Sequence, residues 1–461
     1  MQQKIRFIAR AIKKKCFPLK PSLTEVRIEH LAKNCHSYLT ENDIQPHHKI
    51  LWPTLFNQDQ TWWAHDAVLI WALKLRGADV IPTMCDKLQS TQCVIHAGLW
   101  QKSYEQQYNQ TRDLLCQQCV NYDLRLWELM GIRPLRLSSY ISEGERSTLW
   151  RQVREIMMGD WEHYESEDYP VGKEAWKAVV NTNLQGEIKD TWREEAKAMA
   201  AHHIFNILAL IQVYKKVLAV VKPDSIVGNG GYYYQWGTLN HLCQQNKLPY
   251  YRYYPIGLQP MSWNYALNTT DVVDVSFAWD SWLKQPWGPK EENGVKEDLK
   301  ARGLIINLAE DMICQQRVQA LREKLKLDAQ KPTLVALTGV IWDGGTNVTS
   351  DAFLNMYEWL IATMNWFAEH PQFQLIIRVH PAENIAPTVA PPERTKFLKE
   401  LSERGIAVPS NVVIIKPEDN VSTYDVMQLA DAGVSYTSTS GLEFSCLPKP
   451  LIVMRAGKLK S

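Results

Sequence analysis

The sequence has almost no net charge and no sign of export. The 461-residue chain carries a formal net charge of +1, with 22% charged residues. Proteins that bind nucleic acid normally carry an excess of basic residues. The chain also lacks internal repeats, low-complexity tracts and the apolar centre of an N-terminal signal peptide. These absences favour a small-molecule partner over nucleic acid and predict a cytoplasmic protein.

Long apolar runs are not evident either. We expect no window to reach the roughly twenty apolar residues that a membrane span requires. Residues 1–20 are unusual in another way, because they contain seven Lys or Arg, no acid and interleaved apolar residues. This pattern is typical of an amphipathic helix on an anionic membrane surface, and equally of a solvated basic terminus. The first segment therefore predicts either peripheral membrane contact or an exposed tail.

A disulfide framework is not expected. The nine cysteines are odd in number and irregular in spacing, which indicates a reducing compartment. Cys116 and Cys119 have the tight spacing of a zinc knuckle, and Cys85 and Cys93 form a looser pair. The four residues are either ligands of a structural zinc or unpaired core thiols.

Alternating apolar runs and helical patterns indicate an α/β fold with two domains, since the chain is too long for one ordinary core. Strand, helix and strand repeat in the order that gives parallel sheets. The predicted parts are a basic extension (1–45), a Rossmann-like domain (46–275) with a helical elaboration (about 142–221), a connector (276–330) and a second Rossmann-like domain (331–461).

Three polar motifs follow successive predicted strands of the second domain. Ligands of parallel sheets collect beyond the carboxyl ends of the strands, where helix N-termini favour phosphate. Each motif alone also suits an ordinary turn or helix cap. Their joint placement predicts a phosphate site. The candidate donor-binding residues are Trp342, Asp343, Arg378, His380, Glu383, Ser438, Thr439, Ser440, Gly441 and Glu443.

The first domain offers candidates for the other side of a reaction. Asn229 and Gly230 lie in a glycine-rich turn after a predicted strand, and Tyr232 follows them. These three are the candidate acceptor-side residues, because glycine permits close backbone approach to a ligand. Candidate general bases stand beyond the first predicted strand, where a helix cap or turn would also need polar residues. They are Asp59, His65 and Asp66.

The second-domain motifs resemble a known family. The segments that carry the resemblance are Arg378-Val379-His380-Pro381-Ala382-Glu383, Thr437-Ser438-Thr439-Ser440-Gly441-Leu442-Glu443 and Leu447-Pro448-Lys449-Pro450. They look like the C-terminal domain of bacterial capsule polysaccharide biosynthesis glycosyltransferases, which are GT-B enzymes related to the Kdo transferases. The resemblance is strong over about 333–453 and weaker over the first domain.

The resemblance implies two Rossmann-like domains that face each other across a cleft. It implies transfer of a sugar from a CMP-, UDP- or GDP-sugar in the second domain to a polysaccharide or glycolipid acceptor in the first. No metal or cofactor is required where protein groups stabilise the leaving phosphate. In family members that use CMP-sugars, the His-Pro and Ser/Thr motifs hold that phosphate, and Glu443 would bind donor hydroxyls.

The resemblance is not complete, and two other functions stay open. Pro448 stands where the family usually has glycine. The family's closing helix after the last strand is not evident, so we expect a shortened tail or a helix supplied from elsewhere. The alternatives are a nucleotide-sugar epimerase of the same fold and a non-catalytic GT-B module that binds glycan or scaffolds an assembly.

Overall fold

The computed structural model describes most of the chain. The described residues are 22–54, 60–89, 104–182, 186, 193–229, 233–255, 263–268, 276–305, 311–342, 353, 355–384, 395–436 and 438–454.

The first domain is built on a six-stranded sheet. Its strands are β1 (His48–Thr54), β2 (Ala78–Met84), β3 (Leu135–Arg136), β4 (Ser225–Asn229), β5 (Tyr250–Pro255) and β6 (Trp263–Leu267). They lie in the order β3-β2-β1-β4-β5-β6, and only β5 and β6 pair antiparallel. Because the order reverses between β1 and β4, the topological switch point of this sheet lies there.

Helices follow the strands of this domain. They are α1 (Leu23–Glu41), α2 (Gln60–Lys74), α3 (Tyr104–Leu129), α4 (Glu143–Met158), α5 (Val171–Thr182), α6 (Arg193–Val221) and α7 (Tyr234–Gln245). Helices α4, α5 and α6 form the helical elaboration that the sequence predicts. Ser142 and Glu145 close a capping box at the start of α4, which explains why this helix begins there.

Helix α1 lies inside the predicted basic extension but packs on the domain. It begins with a capping box in which Ser22 and Glu25 exchange side-chain and backbone hydrogen bonds. Ile28, Ala32 and Cys35, at helical spacing, are buried in the same core as β1. The described end of that extension therefore contributes to the first domain.

Helix α6 corrects the expectation about apolar windows. By length and composition it could cross a membrane, because its most apolar window has a mean hydropathy of 1.8. Within the fold, 67% of that window is buried. A buried core helix of a globular protein can be as long and as apolar as a membrane-spanning helix. The finding is therefore weak evidence for a membrane-spanning segment.

The second domain is built on a five-stranded parallel sheet. Its strands are β7 (Thr333–Leu337), β8 (Gln374–Arg378), β9 (Val412–Ile415), β10 (Ala432–Ser435) and β11 (Leu451–Val453). They lie in the order β11-β10-β7-β8-β9, so the switch point falls between β7 and β10. The remaining helices are α8 (Ser276–Trp282), α9 (Pro289–Arg302), α10 (Met312–Lys324), α11 (Met356–Glu369), α12 (Phe397–Glu403), α13 (Thr423–Leu429) and α14 (Thr439–Ser445).

Part of the predicted connector packs on the second sheet. Helix α9 has proline at its start and ends at Gly303, whose φ of +91° is left-handed. Leu299, Leu304 and Leu321, from α9, the following turn and α10, join the core of β7 and β8. This stretch therefore belongs structurally to the second domain.

Both sheets are covered on both faces. In β8, Leu375 and Ile377 pack in one core and Ile376 in another. In β1, Leu51 packs in one core and Trp52 in another. Successive side chains of a strand point to opposite faces, and parallel sheets need cover on both. The prediction of two Rossmann-like α/β domains is confirmed.

Candidate functional site

The three donor motifs come together at one edge of the second sheet. Strands β10, β7 and β8 are neighbours. Ser438 follows β10, Trp342 follows β7 and His380 follows β8. Because the carboxyl ends of parallel strands lie at the same edge, the motifs flank the switch point between β7 and β10, where α/β sheets bind ligands.

Arg378 is a buried cation at this edge. Only 5% of the residue is exposed, and its Nη1 donates to the carbonyl of Lys416 at 2.7 Å. Among the residues that the structure describes, its buried Nε has no hydrogen-bond partner and no carboxylate forms an ion pair with it. Burial lowers the pKa of Arg378, and Asp419 opposes that shift from a distance. The guanidinium stays charged with unfilled donor capacity.

His380 has a defined tautomer. Its Nδ1 accepts a hydrogen bond from the backbone N–H of Ala382 at 3.1 Å, at the start of the turn Pro381–Glu383. An accepting ring nitrogen carries no proton, so the neutral imidazole is protonated at Nε2. His380 therefore offers Nε2–H as a donor.

Glu383 is held by the protein. Only 1% exposed, it accepts hydrogen bonds from the hydroxyl of Tyr357 at Oε1 and from the N–H of Phe397 at Oε2, both at 3.1 Å. These contacts brace the turn after His380 against the start of α12. The predicted donor contact of Glu383 is therefore not what its geometry favours.

Trp342 is likewise part of the core. Its side chain packs with Ile341 and Ala336 in the cluster on one face of the second sheet. The backbone carbonyl of Trp342 accepts a hydrogen bond from Asn181 of the first domain. The structure favours an anchoring role for Trp342 over the predicted ligand contact.

The Ser/Thr motif forms the start of a short helix. Ser438 is the N-cap of α14, and its Oγ accepts the N–H of Ser440 at 3.2 Å. A Cβ on Gly441 would lie 2.8 Å from Oγ of Ser435, so this glycine lets α14 pack closely on β10. Because α14 has only seven residues, phosphate binding at its start stays a prediction. The side chain of Thr439 lies outside the described part.

Glu443 contacts another helix. Its Oε1 accepts from Nη1 of Arg302 at 2.7 Å and from the hydroxyl of Tyr424 at 3.3 Å. It stands in the second turn of α14. Its predicted role in binding donor hydroxyls stays untested.

The switch point of the first sheet joins two predicted residues. Asn229, at the end of β4, donates from Nδ2 to both carboxylate oxygens of Asp66 in α2, at 3.2 and 3.3 Å. Asp66 is 2% exposed, and burial raises its pKa to about 8. Asn229 and the nearby indole of Trp52 oppose this shift, although the indole N–H lacks hydrogen-bond geometry. Asp66 is therefore protonated at neutral pH.

Asp123 is a second buried carboxyl that sequence reasoning missed. It is 1% exposed, and neither oxygen has a hydrogen-bond partner among the described residues. Burial, and then the charge of Asp66, raise its pKa to about 8. The sequence feature that could have identified Asp123 is its helical spacing from the apolar Val120 and Trp127 of α3, which places it on their face of the helix.

His65 differs from its neighbour Asp66. The residue is partly exposed on α2, and burial lowers its pKa. At neutral pH the ring is therefore unprotonated and able to accept a proton.

The zinc hypothesis finds limited support. Cys85 follows β2, and Cys116 lies close enough to affect it electrostatically. Burial, with smaller contributions from neighbouring groups, raises the pKa of the Cys85 thiol to about 11. Among the described residues, no group of three ligating side chains could hold a metal ion. Cys119 is in no disulfide, and Cys93 lies outside the described residues.

Several predicted residues fall outside the part of the chain that the structure describes. They are Asp59, Gly230, Tyr232 and Asp343, together with the basic segment 1–20.

Comparisons with known proteins give structural likenesses alone. No protein-family model and no curated protein matches the chain. It is similar to UDP-GlcNAc 2-epimerase from Neisseria meningitidis bound to UDP-GlcNAc, with 11% identity over 89% of this chain and 84% of that chain and a TM-score of 0.25. It is similar to KpsC, a beta Kdo 2,7 transferase from Thermosulfurimonas dismutans, with 18% identity over 53% of this chain and 69% of that chain and a TM-score of 0.26.

A third similar structure is UDP-GlcNAc 2-epimerase from Methanocaldococcus jannaschii. Its identity is 12% over 88% of this chain and 83% of that chain, with a TM-score of 0.24. At such TM-scores none of these likenesses carries an argument about the site or the activity of this chain.

Proposed function

We propose that the chain is a glycosyltransferase that moves a sugar from a CMP-, UDP- or GDP-sugar to a polysaccharide or glycolipid acceptor. The observation that carries the proposal is the buried, incompletely hydrogen-bonded guanidinium of Arg378 at the carboxyl edge of the second sheet. An unpaired buried charge costs free energy, and an anionic ligand would offset that cost. The resemblance of the surrounding motifs makes a nucleotide phosphate the proposed anion.

In the proposed reaction, the acceptor hydroxyl oxygen attacks the anomeric carbon of the donor sugar. The bond from that carbon to the phosphate oxygen breaks, and its electron pair stays on the nucleotide. Arg378 and the Nε2–H of His380 would stabilise the charge that develops on the phosphate. The hydroxyl proton passes to a base of the first domain.

Among the three candidate bases, His65 is our proposal. Its lowered pKa leaves the imidazole unprotonated at neutral pH, as a general base requires. Asp66 holds a proton at that pH and is hydrogen-bonded to Asn229, which suits a positioning role. Asp59 lies outside the described residues.

Nucleotide release tests the proposal. The purified chain is incubated with each class of nucleotide sugar, with and without glycan acceptors, and free nucleotide is measured. We expect release from one donor class, and its loss in Arg378→Gln and His65→Gln. The control is Arg322→Gln, which removes an arginine whose Nη2 donates to the carbonyl of Leu429, just before β10 begins at the opposite edge of the sheet. Activity in Arg378→Gln equal to that of this control would contradict the proposal.

The same reaction mixtures separate the alternative functions. An epimerase would yield an isomeric nucleotide sugar without releasing nucleotide. A glycan-binding or scaffold module would leave every donor unchanged. The Leu442 that follows Gly441 counts mildly against an epimerase, whose motif has a second glycine there.

Peripheral membrane contact is also part of the proposal. Residues 1–20 combine basic and apolar residues without acids. Such a segment would hold the chain near an anionic membrane surface, where a glycolipid acceptor lies.

A further inference from the structure

Two residues of the helical elaboration contact the second domain beside the donor motifs. Asn181, near the end of α5, donates from Nδ2 to the carbonyl of Trp342 at 2.6 Å. The N–H of Gly186 donates to Oγ1 of Thr395 at 3.0 Å. Trp342 belongs to the loop after β7, so the first contact reaches one donor motif directly.

The second contact reaches another donor motif through the backbone. Thr395, itself buried, stands two residues before Phe397. Phe397 donates its N–H to Glu383, which ends the turn that follows His380. The contact of Gly186 is thus connected to the turn after β8.

The approach at Gly186 is close. A Cβ on this residue would lie 2.6 Å from Cδ1 of Ile341 and 3.0 Å from its Cγ1. Ile341 is buried immediately before Trp342. Any larger residue at this position would have to displace the side chain of Ile341, in the loop after β7.

We propose that Asn181 and Gly186 are positioning residues for the donor, which hold the loop after β7 and the turn after β8 in their binding arrangement. This inference rests on the proposed function. The two residues belong to the first domain and the loops to the second. Donor binding and this interdomain contact are therefore linked, and each strengthens the other by the same factor.

An isosteric substitution tests the Asn181 contact. Asn181→Asp keeps the shape of the side chain but replaces its N–H donor with an acceptor. We expect nucleotide affinity to fall about fivefold, the factor set by a net hydrogen bond of about 1 kcal/mol. Hydrogen exchange should become faster in peptides covering 338–342 and 395–400.

Asn411→Asp is the matched control. The Nδ2 of Asn411 also donates to backbone carbonyls, those of Phe367 and Phe373, but at the opposite edge of the second sheet, before β9. This variant should lower the melting temperature without changing nucleotide affinity. Equal affinity losses in the two variants, or none in Asn181→Asp, would overturn the inference.

A pair of substitutions tests the close contact between Gly186 and Ile341. Gly186→Ala should weaken nucleotide binding, because its methyl group meets Cδ1 of Ile341. Adding Ile341→Val removes that atom but leaves Cγ1 and Cγ2 at 3.0 and 3.1 Å, so it should restore binding in part. Equal affinities of the single and the double variant would contradict a steric origin and overturn the role of Gly186.

The exchange measurement separates this inference from the proposed function. If the folded wild-type chain binds no nucleotide, the proposed function fails. Hydrogen exchange alone then tests whether Asn181 positions the two loops. Faster exchange at 338–342 and 395–400 in Asn181→Asp, but not in Asn411→Asp, would still support the positioning of these loops. Unchanged exchange would overturn it.

Discussion

Asp66 and Asp123 place two carboxyl groups in the interior of the first domain. An unfolded carboxyl ionises near pH 4, whereas burial raises the pKa of both groups to about 8 in the fold. Between these values the folded state binds more protons than the unfolded state. Stability must therefore fall as the pH rises through this interval.

The pH dependence of stability gives a first prediction. Between pH 6.5 and 8 the free energy of unfolding should fall by up to about 1.4 kcal/mol per pH unit for each carboxyl. The buried His203, whose pKa burial lowers to about 3, adds a smaller slope of opposite sign near pH 6.5, where an unfolded imidazole is still half protonated, and this contribution fades towards pH 8. Asp123→Asn should flatten the slope, as measured by urea unfolding at several pH values.

An exposed aspartate provides the control for this prediction. Asp280→Asn, on the surface of α8, should leave the slope unchanged. A wild-type stability that rises from pH 6.5 to 8, or a slope that Asp123→Asn does not alter, would contradict the assigned protonation.

Gly441 gives a second prediction at the residue scale. Gly441→Ala should destabilise the fold by about 1–3 kcal/mol, because its methyl group would crowd Ser435 beneath α14. Gly294→Ala is the matched control, since a Cβ there meets nothing within 4 Å in the middle of α9. That variant should gain about 0.5–1 kcal/mol. Chemical denaturation measures both, and destabilisation of the two to the same extent would contradict the packing argument.

At the scale of elements, Arg302 and Glu443 tie α9 to α14. The pair is half-buried and shares Tyr424. Glu443→Gln and Arg302→Gln should each cost about 1 kcal/mol of stability or less, as exposed ion pairs do. The two substitutions should change donor affinity by the same factor. Affinity is measured by thermal unfolding at increasing concentrations of the nucleotide. A loss specific to Glu443→Gln would show instead that its carboxylate contacts the donor.

The strands of both sheets were largely predictable, and the elements missed have common causes. Long apolar runs bounded by turns identified β1, β2 and β7 to β10. Strands β3 and β11 have two and three residues, too few to show a period. Helix α3 mixes polar and apolar residues along its length, so its pattern was weak.

The candidate site was predictable in position but less so in the role of each residue. Motif order along alternating strands fixes which loops share an edge, so the placement of Arg378 and His380 at one edge of the sheet was predictable, and their ligand contacts stay a prediction. Burial is a tertiary property, so the sequence did not show that Glu383 and Trp342 are held by protein contacts. Asn181 was not found, because its partner is far away in the sequence.

At the scale of the whole molecule, each sheet carries its polar residues at its own switch point. In the first sheet Asp66 and Asn229 meet between β1 and β4. In the second, the donor motifs flank β7 and β10. Such a division suits a reaction with one substrate on each domain.

The central claim is that the second domain binds a nucleotide at Arg378 and His380. Thermal unfolding of the wild type, Arg378→Gln, His380→Ala and Arg322→Gln with CMP, UDP and GDP tests it most directly. The account predicts that one nucleotide raises the melting temperature of the wild type and Arg322→Gln but not of the other two. A folded wild type that no nucleotide stabilises, or equal stabilisation of all four proteins, would contradict it.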